Sequence, residues 1–457
     1  MAGGRGSCGA LSVGAPWARP RHEVLLLALV ALAALSPLYV VSSQDISRLC
    51  LTRALVSGSL TVAPCVGLEV DRARFDGKIY SDKAPGMSML ALPIAEAVAL
   101  PAPSHWHFGR DYPVWLVRVL TSGVAFLFLA FALGRVSEGL ARGTGGVTLV
   151  TFALATLVSS LAPTTFDHVT AGAFGFAAFL CAWRRHPGLA GLLAGAALNV
   201  EYESGIILVL LGIYVARGGV RSIMRYVLGV VPGALVLGGY DWAAFGSPLH
   251  VSYRYVANKY ALAQASGFFG IGLPRWHSTI QVLFGDRGLL VVAPVLVAAL
   301  IGLALLARQY PFEALTCAAI FAVFLLMTCG YFLPYGGISP GPRFLVPAIP
   351  FLAVGLGPAF ARLPLITSLS AVASLIASTA VALTWPWEGG IGYRQTVWGE
   401  LVRLLSGARS RLGRDLVSNA TTWLGLTDPE AALFVAVCAV SAFVIAGAAL
   451  EGRSRRA

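Results

Sequence analysis

Apolar runs of about 18 to 22 residues recur from one end of the chain to the other, separated by short polar turns and three long polar stretches. That pattern predicts an all-α, polytopic transmembrane helical bundle with twelve crossings. They fall near 24–42, 113–134, 146–162, 168–183, 187–200, 203–216, 226–244, 287–307, 314–332, 344–361, 365–384 and 430–450. The long outer loops are 43–112, 245–286 and 385–429. In the first of them, "SRLCLTRALVSGSL" (47–60) has helical apolar spacing and predicts a short helix ending near Gly58. "GMSMLALPIAEAVALP" (86–101) is too short to cross comfortably and predicts a helix lying along the membrane interface. The segment 187–216 leaves only about 30 residues to go out and return, where two full spans need about 40. Its tip, "LNVEYESG", therefore stops short of the outer surface and recesses Glu201 and Glu203.

Composition agrees. Of 457 residues, 57% are hydrophobic and only 12% charged, with a mean hydropathy of +0.77. A soluble chain carries about twice that charge, and no polar block is long enough for a separate soluble domain. The net charge of +12 follows from topology rather than from a nucleic-acid partner. With a cytoplasmic N-terminus, the inner loops collect Arg135, Arg142, Arg184, Arg185, Arg217, Arg221, Arg225, Arg308 and Arg362, as the positive-inside rule requires. The expected organisation is a disordered cytoplasmic leader at 1–23, a transmembrane domain at 24–450 and a cytoplasmic tail at 451–457. A cleaved signal peptide is the competing reading of the first apolar run; the long leader and the lack of a small-x-small site favour an uncleaved span. The expected location is a bacterial plasma membrane with the active site outside. Cys50 and Cys65 share the first outer loop, where they stand either as free thiols or as a disulfide.

The unusual polar residues gather on the outer side. Asp45 follows the first span, and Asp71, Asp76, Tyr80, Asp82 and Lys83 share its loop. "PTTFDHVT" (163–170) is a tight turn with Asp167 and His168, and "LPYGGISPGPRFL" (333–345) carries Arg343 among glycines. Each has a bland alternative: a solvated loop charge, a helix cap or a simple turn. Together they place acids, bases and cations on one side of a bundle. Nucleotide-sugar donors are cytoplasmic, and no P-loop or dinucleotide fingerprint is present. An external membrane enzyme that builds a product needs an activated donor able to cross the bilayer. A polyprenyl-phosphate sugar fits: an apolar tail for the helices, a phosphate for Lys and Arg, and a carbon for the chemistry. The alternative is a lipid or solute transporter or flippase, which predicts midplane ionisable pairs and inverted repeats. A non-catalytic scaffold is the third reading.

"QDISRLCLTRALVSGSLTV" followed by "FDGKIYSDKAPGMSMLALP" resembles the first external loop of the GT-C fold glycosyltransferases, which include protein O-mannosyltransferases and aminoarabinose transferases. The resemblance implies that Asp45 is the general base and that Asp167 matches a second family acid. It also implies that Lys83 holds a lipid phosphate; Tyr80, which matches the family's Tyr, is expected to hold the same donor headgroup, and Arg343 in its Gly-rich turn is expected to give a second phosphate contact. His168, Glu201 and Glu203 become possible sugar or metal contacts. Asp71 and Asp76 stay open as alternative bases, because the first acid stands here as Gln-Asp-Ile rather than Asp-Glu. A divalent metal is possible. The implied activity moves a hexosyl or pentosyl unit from a polyprenyl-phosphate donor to an acceptor on the external face, as part of cell-envelope chemistry.

Overall fold

The computed structural model describes residues 20–36, 42–62, 65, 71–100, 112–337, 339–388, 425 and 428–454. Most of the third outer loop and the leader up to residue 19 lie outside the described residues.

The elements needed here are α1 (Pro20–Leu35), α2 (Ser43–Val56), strands β1 (Arg72–Phe75) and β2 (Lys78–Ser81), α3 (Gly86–Val98), α4 (Tyr112–Leu140), α5 (Gly145–Leu154), α6 (Asp167–Trp183), α7 (Pro187–Val200), α8 (Gly205–Ala216), α9 (Val220–Phe245), α10 (Trp276–Phe284), α11 (Val295–Leu306) and α12 (Pro311–Gly330). After α12 come a 3-10 turn at Arg343–Ala348 and further helices to the C-terminal end.

Large apolar side chains stand exposed along these helices, among them Ile213, Leu228, Leu235 and Leu369, each at least 60% exposed. Such surfaces are stable only against lipid, and the chain is an integral membrane protein. The described residues do not confirm twelve crossings. Among the described residues four helices are long and apolar enough to span: α4, α9, α12 and Pro364–Leu383. Two bent pairs raise the number to six: Trp276–Val292 with Val295–Leu306 at 83°, and Arg343–Ala353 with Leu356–Arg362 at 52°. The reason is local. Apolar runs that read as continuous are broken into shorter helices, as where the expected 146–162 span becomes α5 and a separate turn at Val158–Leu161.

The pair α7 and α9 shows how small residues set helix distance. A Cβ on Gly191 would lie 1.9 Å from the Tyr226 carbonyl oxygen, and one on Gly229 would lie 2.0 Å from that of Gly188. Backbone against backbone is the packing that membrane helices use in place of a hydrophobic drive.

The first outer loop is more ordered than expected. Helix α2 begins at Ser43, four residues before the predicted start, because Ser42 and Asp45 form a capping box. It ends at Val56, before Gly58 at φ +69°. Between the two loop helices lies an antiparallel hairpin pairing Phe75 with Lys78. Asp76 and Gly77, both at positive φ (47° and 71°), form its two-residue turn. A disulfide joins Cys50 to Cys65, with Cα atoms 6.2 Å apart, and settles the cysteine question in favour of the bond.

Candidate active site

Helix α2 buries polar residues alongside the apolar Leu49, Cys50, Leu51 and Ala54. Asp45, Ser47, Arg48 and Thr52 are all buried, at 0–3% exposure. Asp45 Oδ2 accepts from the backbone and hydroxyl of Ser42, and its Oδ1 accepts from the backbone (2.7 Å) and hydroxyl (2.8 Å) of Thr165. The carboxylate thereby ties the start of the loop helix to the turn before α6. One helical turn on, the Arg48 guanidinium pairs with Asp167, the first residue of α6.

The hairpin delivers the second half. Ser81 Oγ bonds Ser47 Oγ at 2.8 Å, and Ser47 donates to the Asp71 carbonyl at 2.9 Å. Lys83 Nζ then lies 2.8 Å from Asp71 Oδ1 and 3.1 Å from Asp82 Oδ1. Ser43 and Gln44 also donate to the Asp71 carboxylate. The Ala84-Pro85-Gly86 turn follows at once. A Cβ on Gly86 would meet the Asn199 carbonyl carbon and oxygen at 2.5 Å, so only glycine lets α3 seat on the end of α7. That contact sits beside Glu201, where α7 stops and the chain bends into a 3-10 turn.

Glu201 closes the group. His168 Nδ1 lies 2.5 Å from Glu201 Oε1 and 3.1 Å from Asp167 Oδ1. Arg343 approaches from the other side, with its guanidinium 5.4 Å from the Phe166 ring centre and 5.2 Å from that of Phe344. Phe344 also lies 5.5 Å from the His168 ring. Glu203 is further out, accepting a long 3.4 Å bond from the Tyr253 hydroxyl.

Within this group five buried carboxylates (Asp45, Asp71, Asp82, Asp167, Glu201) meet three buried cations (Arg48, Lys83, Arg343) and one imidazole. An excess of buried negative charge is costly unless protons or a cation offset it. Protonation answers part of the need at Asp82, whose pKa is raised to about 6: burial is the main cause, Lys83 opposes it and Asp71 adds to it. Asp71 goes the other way. Burial alone would raise it, but Lys83, with help from Ser43 and Arg343, outweighs this and holds the carboxyl below its ordinary value. Lys83 is pushed down by burial and further up by Asp71 and Asp82, so it keeps its charge at neutral pH.

A cation suits the remaining need. Asp167, His168 and Glu201 each offer a ligand atom, all within 4.8 Å of one another. His168 Nε2 and Glu201 Oε2 are buried with no hydrogen-bond partner. Two carboxylates and an imidazole with orphaned atoms fit a borderline or hard divalent ion such as Zn²⁺ or Mn²⁺.

The structure thus brings together Asp45, Asp71, Lys83, Asp167, His168, Glu201 and Arg343, with Glu203 at the edge. It does not bring Tyr80 or Asp76 there. Tyr80 and Ser81 alternate faces on β2. The Tyr80 ring packs against Phe245 at 5.2 Å, in an apolar cluster with Tyr240 and Cys50. Asp76 is an exposed turn residue at the hairpin tip. Arg48 and the pairing role of Asp82 were missed. The signal for Arg48 was its i, i+3 spacing from Asp45, which puts both on one face of α2.

No protein-family model matches the chain, and no curated protein matches it. Solved structures do. ArnT of Cupriavidus metallidurans bound to undecaprenyl phosphate aligns at a TM-score of 0.54 and 15% identity, covering 95% of this chain and 77% of that one. Its apo form aligns at 0.50 and 17% identity, covering 94% and 77%. An apo oligosaccharyltransferase of Archaeoglobus fulgidus aligns more weakly, at 0.44 and 12% identity, over 95% of this chain and 56% of that one. At these identities the likeness speaks to architecture, and the chain has the GT-C fold that its first outer loop resembled.

Proposed function

We propose that the chain is a membrane glycosyltransferase that takes a sugar from a polyprenyl-phosphate donor. One observation carries the reading: in a fold shared with a transferase solved with undecaprenyl phosphate, a buried lysine of the first outer loop stands in one ionic group with Asp167, His168 and Glu201. In the reaction an acceptor hydroxyl attacks the anomeric carbon, the carbon–phosphate oxygen bond breaks, and the hydroxyl proton passes to a carboxylate. Lys83 and Arg343 stabilise the charge that grows on the departing lipid phosphate. Asp167, His168 and Glu201 would hold a divalent ion, which would supply Lewis-acid stabilisation of the same phosphate.

Asp45, expected as the base, is assigned a positioning role instead. It is fully buried, and donors from Ser42 and Thr165 engage both its oxygens. Through Thr165 it fixes the turn that presents Asp167. The disulfide in the site-bearing loop supports an external face, since such bonds belong to an oxidising compartment. Arg184 and Arg185, at the far end of α6 from Asp167, are exposed and suit the cytoplasmic side. A transporter would place its ionic group near the bilayer midplane, between inverted repeats. Here Asp167 begins a helix, Glu201 ends one, and Lys83 lies in a loop.

The test is transfer of radiolabelled sugar from a panel of undecaprenyl-phosphate sugars in reconstituted membranes. Release of the sugar from one donor, with undecaprenyl phosphate as product, is the expected result. A folded protein inert toward the whole panel would contradict the reading.

A further inference from the structure

We propose that a separate pocket in the second outer loop is the acceptor site, and that it receives a saccharide ring; this deepens the glycosyltransferase reading and rests on it. The pocket holds about 280 Å³ and is lined by Tyr253, Arg254, Gln264, Phe268 and Phe269. That volume admits a ring and its substituents, near the lower limit of small-molecule sites.

Its chemistry is that of a sugar binder. The Phe268 and Phe269 rings are 4.9 Å apart and Tyr253 is 6.3 Å from Phe269, an aromatic wall suited to the apolar face of a pyranose. Arg254 and Gln264 add polar groups for ring hydroxyls. Gln264 is only 7% exposed, and its orientation is fixed: Nε2 donates to the Phe269 carbonyl and Oε1 accepts from the Tyr331 hydroxyl, both at 3.0 Å. The loop is pinned as well. Gly272 donates to the Gly330 carbonyl and Phe332 to that of Gly270, and Phe269 holds a left-handed φ of 53°. A bulky residue adopts that conformation only where its surroundings enforce it.

The pocket abuts the ionic group. Tyr253 is a shared wall: its ring lines the pocket and its hydroxyl reaches Glu203. On the other flank Tyr331 packs 5.0 Å from Phe344, which borders His168 and Arg343. Two exposed apolar residues of the same loop, Leu262 at 90% and Phe268 at 72%, offer a landing for a lipid-borne acceptor.

The probes are diazirine-bearing octyl glucoside and methyl glucoside, photolysed with the full chain in phosphatidylethanolamine–phosphatidylglycerol nanodiscs, with adducts mapped by mass spectrometry. Adducts are expected within residues 253–269. Gln264→Leu and the exposed-site Arg254→Gln should each reduce them about five-fold, the loss of roughly one hydrogen bond, with undecaprenyl phosphate binding unchanged. Preferential labelling by the octyl probe supports a lipid-borne acceptor, and equal labelling supports a soluble glycan at the same pocket. Adducts confined to other regions, or undiminished in both variants, would overturn the acceptor site while leaving the donor reading intact. Failure of the wild type to bind undecaprenyl phosphate would overturn both.

Discussion

At the scale of single residues, the site is a set of charges that hold one another in place, and each can be tested by removing a partner. Arg48→Met leaves Asp167 buried without its guanidinium and should cost about 3–5 kcal/mol of stability in a thermal or denaturant melt. Asp45→Asn should lower stability by about 1 kcal/mol, since a capping acceptor is lost. Transfer should slow, but the pH profile of transfer should keep its shape; loss of a titrating limb would instead restore Asp45 as the base. Asp82 makes a prediction of a different sign. Its carboxyl titrates near pH 6 in the folded chain and about 3.9 when unfolded. Between those values the folded state holds the extra proton, so stability should fall as pH rises through the window and level off above it. Asp82→Asn should flatten that fall in melts across the same range. The residue types were legible in the sequence: acids, a lysine and an arginine in outer loops are visible without coordinates. Their pairings were not. Arg48 and Asp167 are 119 positions apart, and Tyr80 read as a site residue because a linear motif does not reveal which face of a strand it occupies.

At the scale of elements, the first outer loop is a small folded unit built on a disulfide, a hairpin and two helices. Removing the disulfide with Cys50→Ser and Cys65→Ser opens a link between residues 15 apart. A loop of that length corresponds to about 3 kcal/mol, which a melt under non-reducing conditions should register. The Pro85-Gly86 pair has two separate roles at the start of α3. The proline launches α3, and the missing side chain lets it meet the backbone of Asn199. Gly86→Ala should push the two elements apart at a cost of about 1–3 kcal/mol. Helix α3 was readable from apolar spacing and α2 nearly so. The hairpin was passed over although Asp76-Gly77 is its turn signal, because the acid was weighed as chemistry before it was weighed as backbone. Twelve crossings go beyond the four to six spans found among the described residues. Hydropathy averages over a run and does not register the 83° bend near Pro294 or the break after α5.

At the scale of the whole molecule, the proposed function requires the ionic group on the non-cytoplasmic side, at the ends of spans rather than in their middle. A membrane-impermeant maleimide should label Lys78→Cys, at the exposed hairpin, in intact cells, and should leave His186→Cys, at the opposite end of α6, unlabelled until the membrane is opened. The reverse pattern would invert the topology. The group's excess of acids predicts metal binding independent of turnover: chelator-stripped protein should take up Mn²⁺, read by its paramagnetic resonance, and Glu201→Gln should weaken that uptake by about ten-fold or more. The most direct test of the central claim is the affinity of undecaprenyl phosphate for the purified chain, compared among wild type, Lys83→Arg and Lys83→Met. The account predicts saturable binding that survives in the arginine variant and falls about ten-fold or more when the charge is removed, the loss of a charge-assisted contact to phosphate. Equal affinity in all three folded proteins, or no saturable binding by the wild type, would contradict it.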